Sequence, residues 1–264
     1  MTDVRPKKAL GQHFLTDLDV AARIASTLDA APGMPVLEIG PGMGVLTQYI
    51  LASGRELDVE EIDTESGAWL RSHMPALDGH IIEGDFLRLP LDTLFGGRPF
   101  ALIGNYPYNI SSQIFFKVLD YKDMVPCCSG MLQREVAERI AAPEGSKVRG
   151  ILSVLLQAWY DIDYLFTVSA RVFNPPPKVK SGVIIMRRNG VTDLGCDEAL
   201  FKKVVKTTFG QRRKTIRNSV RGLLPPGVVT DDNPLLAMRP EQLSVSQFIQ
   251  LTNYVSQICK EVRQ

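Results

Sequence analysis

The sequence predicts an α/β chain in which a mostly parallel, doubly wound sheet is followed by a small all-α domain. Three observations carry that expectation. Over the first 190 residues, short apolar runs bounded by Gly, Pro, Asn or Asp alternate with segments of helical spacing, which is the pattern of successive βαβ units. Two later apolar runs lie close together in sequence and predict an antiparallel addition at the edge of the sheet. After Asn189-Gly190 the strand pattern stops and amphipathic stretches follow. We therefore expect one domain over residues 1–190 and a second over 191–264.

The elements are justified in order. Residues 4–14 read as a basic arm and loop. Thr16 or Asp17 can cap a helix on which Val20, Ile24 and Leu28 share a face, and Ala31-Pro32-Gly33 ends it. Residues 35–39 form a buried strand that runs into Gly40-Pro41-Gly42-Met43-Gly44, and residues 45–51 resume as a helix. The second strand, 57–63, ends in acids. A helix through Trp69 and Leu70 leads to a third strand, 80–85. The fourth, 100–104, is apolar throughout and releases Asn105-Tyr106-Pro107-Tyr108, with a helix over 111–119 behind it. A fifth strand, 128–133, enters a helix over 134–140. Later strands are expected around Ala158-Trp159-Tyr160 and over 183–186. Helices are expected over 200–220 and 242–260, separated by residues 224–227 and 231–234. There is no internal repeat and no low-complexity segment.

Composition narrows the function. No apolar stretch is long enough to span a bilayer, and the polar, basic first eight residues carry no secretory signal. A cytoplasmic protein without a membrane partner is expected. Cys127, Cys128, Cys196 and Cys259 form no CxxC pair, and the three histidines form no ligand pair. No metal and no disulfide framework are therefore expected. The net charge of +1 conceals a division. Residues 168–221 hold thirteen Lys/Arg and three Asp/Glu, while the rest of the chain holds seventeen and twenty-six. A segregated basic region suits a polyanion, although most charge runs are only solvated helix faces.

The strand ends carry the chemistry. An amide, a proline-fixed backbone and an aromatic ring leaving one strand together can grip a planar amine. Asn105 and a backbone carbonyl accept its hydrogens, and Tyr108 stacks on the heterocycle. A plain turn would use the same residue types. Gly40 and Gly42 permit close approach to the backbone, but the spacing is neither GxGxxG nor a P-loop. Glu61 can accept two ribose hydroxyls, Asp85 an adenine amino group, and Phe86 can cover a purine face. Each is ordinary alone. Four successive strand ends bearing them in this order are much less so.

Glu-Ile-Gly-Pro-Gly at 38–42, Glu-Glu-Ile-Asp at 60–63, Gly-Asp-Phe at 84–86 and Asn-Tyr-Pro-Tyr-Asn-Ile-Ser at 105–111 resemble the S-adenosylmethionine-dependent rRNA adenine N6,N6-dimethyltransferases. The likeness extends to Gly-Gln-His-Phe-Leu at 11–15, Met-Leu-Gln-Arg-Glu-Val-Ala-Glu-Arg at 131–139, Phe-Asn-Pro-Pro-Pro-Lys-Val-Lys-Ser at 173–181 and Phe-Gly-Gln-Arg-Arg-Lys at 209–214. It covers almost the whole chain and is greatest toward the bacterial branch that acts on small-subunit rRNA, which the last helical domain favours over the antibiotic-resistance methylases. Two positions depart from the family pattern. His13 stands where the entry motif more often has Asn, and Tyr106 stands where Leu or Ile is usual.

The resemblance implies a Rossmann-like methyltransferase sheet with a helical RNA-binding domain. It implies methylation of N6 on two adjacent adenines near the 3′ end of 16S rRNA, within the immature small subunit, by a monomer using S-adenosylmethionine. The implied catalytic residues are Asn105, Tyr106, Pro107 and Tyr108. The implied cofactor residues are His13, Leu15, Gly40, Gly42, Glu61, Asp85, Phe86 and Asn105. On the RNA side, Phe173 would cover the target base and Lys178 would sit with Lys180 at the rim. Arg212, Arg213 and Lys214 would join the other C-terminal cations on a phosphate track, with Arg5, Lys7 and Lys8 adding to it. A 23S rRNA methylase, a nucleic-acid-binding assembly factor on the same fold, and a small-molecule or protein N-methylase are the alternatives. The basic C-terminal region disfavours the last.

Overall fold

The computed structural model describes residues 4–226, 228 and 233–261. Gly227, Asp231 and Asp232 of the expected separating loops lie outside the described residues. In chain order the strands are β1 Phe14–Leu15, β2 Val36–Ile39, β3 Leu57–Glu61, β4 Ile81–Glu83, β5 Ala101–Asn105, β6 Cys127–Gln133, β7 Tyr160–Val168, β8 Phe173–Asn174 and β9 Ser181–Arg188. The helices are α1 Leu18–Ala25, α2 Thr47–Ala52, α3 Thr64–His73, α4 Ser111–Asp120, α5 Arg134–Ile140, α6 Ile151–Gln157, α7 Glu198–Gly210, α8 Ile216–Ser219 and α9 Val245–Glu261.

Seven strands form one sheet in the order β4-β3-β2-β5-β6-β9-β7. The pairs β3–β4, β2–β3, β2–β5 and β5–β6 are parallel, and β6–β9 is antiparallel. All four residues of β2 and four of five in β5 are buried, as strands covered on both faces must be. By contrast, between its buried ends β7 alternates half-buried and exposed residues, the signature of a half-covered edge. It begins only at Tyr160. Ala158 and Trp159, expected within it, instead close the end of α6 by donating to the Val154 and Leu156 carbonyls.

Local chemistry sets the helix starts. Asp17 caps α1 by accepting from the Val20 amide at 3.0 Å, and Asp63 and Asp197 cap α3 and α7 in the same way. The short strands β1 and β8 pair antiparallel, Phe14 with Asn174 and Leu15 with Phe173. This ribbon, unforeseen in the sequence, ties the N-terminal arm to the segment before β9.

Backbone contacts divide the chain into two units. The first comprises the residues up to Glu138 together with Asp161–Arg188, and the second comprises Arg139–Tyr160 and the residues from Asn189 on. The boundary expected at residue 190 had placed 139–160 with the sheet. They join the helical unit because α6 buries Leu152, Ser153, Val154, Leu155 and Leu156 in succession and packs on α7 and α9. The single helix expected over 200–220 is two, since α7 stops at Gly210 and α8 begins at Ile216. No helix of the described residues is long and apolar enough to cross a membrane.

Candidate active site

The order of the sheet reverses at β2, which has β3 on one side and β5 on the other. Open α/β sheets bind ligands beyond the carboxyl ends of their strands at such a switch point. A cleft lies there, lined by the ends of β2, β3 and β5, by Asp85 and Phe86 after β4, and by the N-terminal arm.

The turn after β2 forms one wall. Gly40 has φ +63°, and a Cβ there would stand in open space, while a Cβ on Gly42 would meet the Phe14 ring at 2.9 Å. The first glycine leaves the cleft clear and the second admits the arm. Glu61, at the end of β3, is held by two backbone amides. Gly42 N–H donates to its Oε2 at 3.0 Å and Asp63 N–H to its Oε1 at 2.8 Å. Burial raises the Glu61 carboxyl above its ordinary range, against the pull of those amides. Each oxygen keeps a lone pair for a hydroxyl donor.

Asp63 pins the N-terminal arm. Lys7 Nζ lies 2.5 Å from Asp63 Oδ1, and Gln12 Nε2 donates to Oδ2 at 3.0 Å. Burial pushes this carboxyl up, but the Lys7, Gln12, Glu65 and Ser66 bonds outweigh it and leave the group below its ordinary value. Lys7, expected on a phosphate track, is therefore committed to the fold.

The arm then reaches the end of β5. Asn105 Nδ2 donates to the His13 carbonyl oxygen at 3.0 Å. A carbonyl only accepts, so the amide NH2 faces His13 and Oδ1 is the acceptor Asn105 offers a ligand. By the same argument the His13 ring carries its proton on Nδ1, 2.7 Å from the Pro175 carbonyl oxygen. Its centroid lies 5.5 Å from that of Tyr108.

Tyr106 is 1% exposed. Its hydroxyl donates to the Ser129 carbonyl at 2.6 Å, and its ring meets Phe115 edge-on at 5.6 Å. Its side chain is thus anchored in the core, so the backbone is the part of Tyr106 suited to hold a ligand. Tyr108 is partly exposed, and its hydroxyl shares a 2.5 Å hydrogen bond with Ser181. Burial raises the phenol and this bond opposes it.

His13, Gly40, Gly42, Glu61, Asp85, Phe86 and Asn105 through Tyr108 all line this one cleft. Phe173, Leu15 and Lys178, expected near the site, are not among its lining residues. Phe173 is 4% exposed and packs in the hydrophobic core, because its pairing with Leu15 turns it inward. It does not line the cleft. Leu15 lines a smaller adjoining cavity with Glu38. Phe86 is nearly buried, and the Lys117 ammonium lies 5.0 Å from its ring centroid. Lys178 is exposed, outside the lining. In the helical unit Arg213 and Lys214 are exposed, whereas Arg212 donates to the Lys147 carbonyl and lies 3.7 Å from Glu241. Four residues escaped sequence reasoning. They are Gln12 and Asp63, which fix the arm; Glu60, which lines the cleft; and Ile62, which lines the cleft at 48% exposure. The signal for Ile62 was available, since an apolar residue between two strand-end acids has no core to enter.

Comparison with known proteins agrees across the chain. A family model described as ribosomal RNA adenine dimethylase matches residues 4–257. A relative from Phocaeicola vulgatus, called ribosomal RNA small subunit methyltransferase A, is 62% identical over 257 residues, 97% of this chain and 92% of its own. One of the same name from Parabacteroides distasonis is 65% identical over 249 residues, 94% and 93% of the two chains. Among solved structures, a dimethyladenosine transferase from Plasmodium falciparum superposes with a TM-score of 0.77 at 21% identity, over 93% of this chain and 98% of that one. The 23S rRNA methyltransferase ErmE gives 0.64 at 26%, over 91% and 99%.

Proposed function

The chain belongs to the ribosomal RNA adenine dimethylase family, and we propose how its cleft carries out that family's reaction. The enzyme transfers methyl groups from S-adenosylmethionine to N6 of two adjacent adenines near the 3′ end of 16S rRNA, giving N6,N6-dimethyladenine.

The cleft suits the methyl donor. Gly40 leaves its floor open, Glu61 offers oriented oxygens to a ribose, and Asp85 offers a carboxylate to a purine amine. Bound there, S-adenosylmethionine supplies an electrophilic methyl carbon. Ile62 and Phe86 give the purine an apolar neighbourhood, and the arm from Lys7 to Phe14 covers the cleft once fixed to Asp63.

The observation that carries the catalytic assignment is the Asn105–His13 hydrogen bond. The adenine amine is a poor nucleophile because its lone pair is delocalised into the ring. Asn105 Oδ1 and a backbone carbonyl of the Tyr106-Pro107 segment accept hydrogen bonds from N6. They favour a tetrahedral nitrogen and stabilise the positive charge that grows on it as the N–C bond forms. Pro107 contributes no competing N–H. Tyr108 stacks on the flipped-out base, its phenol fixed by Ser181. Water takes the proton from the methylated ammonium, so no strong general base is required. Because alignment matters most, positioning supplies much of the rate.

The substrate is the immature small subunit, met by a cytoplasmic monomer, with Arg213 and Lys214 among the cations that contact phosphate. Incubating the protein with labelled S-adenosylmethionine and undermethylated small subunits, then mapping the modified bases, tests this. Label confined to two neighbouring adenines of 16S rRNA is expected. Label in 23S rRNA, or none, overturns the reading.

A further inference from the structure

A groove lies one strand over from the catalytic motif, at the carboxyl end of β6. It is lined by Gln133, Arg134, Glu135, Glu138, Val179 and Lys180, none of which the mechanism uses. The sheet fixes its place. Gln133 ends β6, and Met131 on the same strand stands opposite Asn105. On the other side Gln133 stands opposite Ser181, the first residue of β9, whose hydroxyl holds the Tyr108 phenol at 2.5 Å. The groove therefore begins beside the residue that fixes the ring on which the target base stacks. Its two walls are tied together, because the Arg134 backbone amide donates to the Lys180 carbonyl at 3.0 Å.

The lining suits a base rather than a phosphate. Arg134 and Lys180 offset Glu135 and Glu138, so the groove carries no net charge, unlike a phosphate track. The Arg134 guanidinium donates to Glu138 at 2.6 Å, and a guanidinium held in this way offers a plane on which an unstacked RNA base can lie. Val179 is 45% exposed and supplies an apolar contact between two exposed lysines. The half-buried Gln133 side chain makes no hydrogen bond among the described residues. Its amide pairs a donor with an acceptor, which complements the N7 and amino group of adenine.

We propose that this groove holds the neighbouring adenine of the same RNA strand while the target adenine stacks on Tyr108, with Gln133 reading the neighbour's amino-and-N7 edge. This assignment rests on the methyl transfer to two adjacent adenines described above. Guanine at the neighbouring position presents an oxygen where the Gln133 oxygen needs a donor, so the target beside it is delivered less well. An adenine already dimethylated has no N6 hydrogen left to donate, so the same contact weakens once that neighbour is finished.

The test uses small subunits assembled on undermethylated 16S rRNA in which one or the other of the two adenines is replaced by guanine. Methylation of the adenine that remains is followed with subunits limiting, so that the rate reports kcat/KM. Wild-type protein is expected to methylate one of the two substituted subunits about tenfold more slowly than it methylates the same adenine in unsubstituted ones, the discrimination of one amide–adenine pair. Gln133→Leu, of similar size, should slow the unsubstituted reaction by a similar factor and bring the two rates within about twofold of each other. Gln133→Glu keeps the oxygen that accepts from the amino group and loses the donor to N7, so its discrimination should fall between the two. S-adenosylhomocysteine affinity, unchanged in both variants, shows that the fold and the neighbouring cleft are kept. No discrimination by wild type, or equal discrimination by wild type and Gln133→Leu, overturns the groove assignment and leaves the enzyme reading intact. Methylation of no adenine by wild type overturns both.

Discussion

Asn105 and His13 are 92 residues apart in sequence and are joined by one hydrogen bond, from the Asn105 amide nitrogen to the His13 backbone oxygen at 3.0 Å. The bond is made by the backbone of residue 13, so it survives whatever side chain stands there. This explains how His13 can replace the asparagine more usual in the family. Its imidazole instead bonds the Pro175 carbonyl, linking the arm to the segment before β9. An arm pinned at Asp63 thus sets which way the amide of Asn105 points.

Asn105→Ala is expected to lower the single-turnover methylation rate about a hundredfold to a thousandfold, the range for losing one preorganised charge-stabilising group. The measurement uses saturating small subunits and donor, so that binding losses do not contribute. A near-normal rate would remove Asn105 from the mechanism. His13→Ala should cost far less, since the carbonyl that orients the amide is retained.

Tyr106 tests whether the motif's backbone needs its anchor. The phenol bonds the Ser129 carbonyl, and its ring lies over Gly130, where a Cβ would come within 2.6 Å of it. Tyr106→Phe should cost about 1 kcal/mol of stability, the net worth of one hydrogen bond. Gly130→Ala should cost more, because φ +151° at Gly130 disfavours any side chain and the ring must move. Both should slow methylation with little effect on S-adenosylhomocysteine affinity. Thermal melts and single-turnover rates separate the two effects.

The buried acid Glu38 makes a prediction about pH. It is 1% exposed, its Oε2 lacks a hydrogen-bond partner, and burial pushes its carboxyl up to about 8. The unfolded chain titrates in the ordinary carboxylate range, so between there and pH 8 the folded state holds a proton that the unfolded state has lost. Stability is fully present at acid pH and is lost as pH rises toward 8. Glu38→Gln does not titrate. Its melting temperature relative to wild type should therefore climb between about pH 5 and pH 8 and level off above. A constant difference over that range would mean that Glu38 is ionised in the fold.

Much of the site was legible because its residues sit where apolar runs end, and parallel strands bring their carboxyl ends together in register. Ile39 stands opposite both Glu60 and Gly104, which suffices to gather Gly40, Glu61 and Asn105. What could not be read depended on distant pairing. Phe173 looked like an aromatic residue free to meet a base until its two-residue ribbon with Leu15 turned it into the core. Lys7 looked like a spare cation until Asp63 claimed it. The apolar run of α6 is too short for periodicity to separate helix from strand, so its place against α7 and α9 was invisible.

The cations of the helical unit differ in availability, and this sets the last prediction. Arg213 and Lys214 are exposed at the end of α7, whereas the Arg212 guanidinium is engaged by the Lys147 carbonyl and the Glu241 carboxylate. Phosphate contacts release counterions, so each lost contact should flatten the dependence of log K on log salt by about one unit or less. Arg213→Ala with Lys214→Ala should weaken small-subunit binding and reduce that slope while leaving S-adenosylhomocysteine affinity unchanged. Arg212→Ala should show the opposite balance, a lower melting temperature with the salt slope retained, because its charge already serves the fold. Binding measured from about 50 to 200 mM salt, a range over which phosphate contacts respond strongly, distinguishes them. An equal slope for the Arg213/Lys214 variant and wild type would take these two residues off the phosphate track.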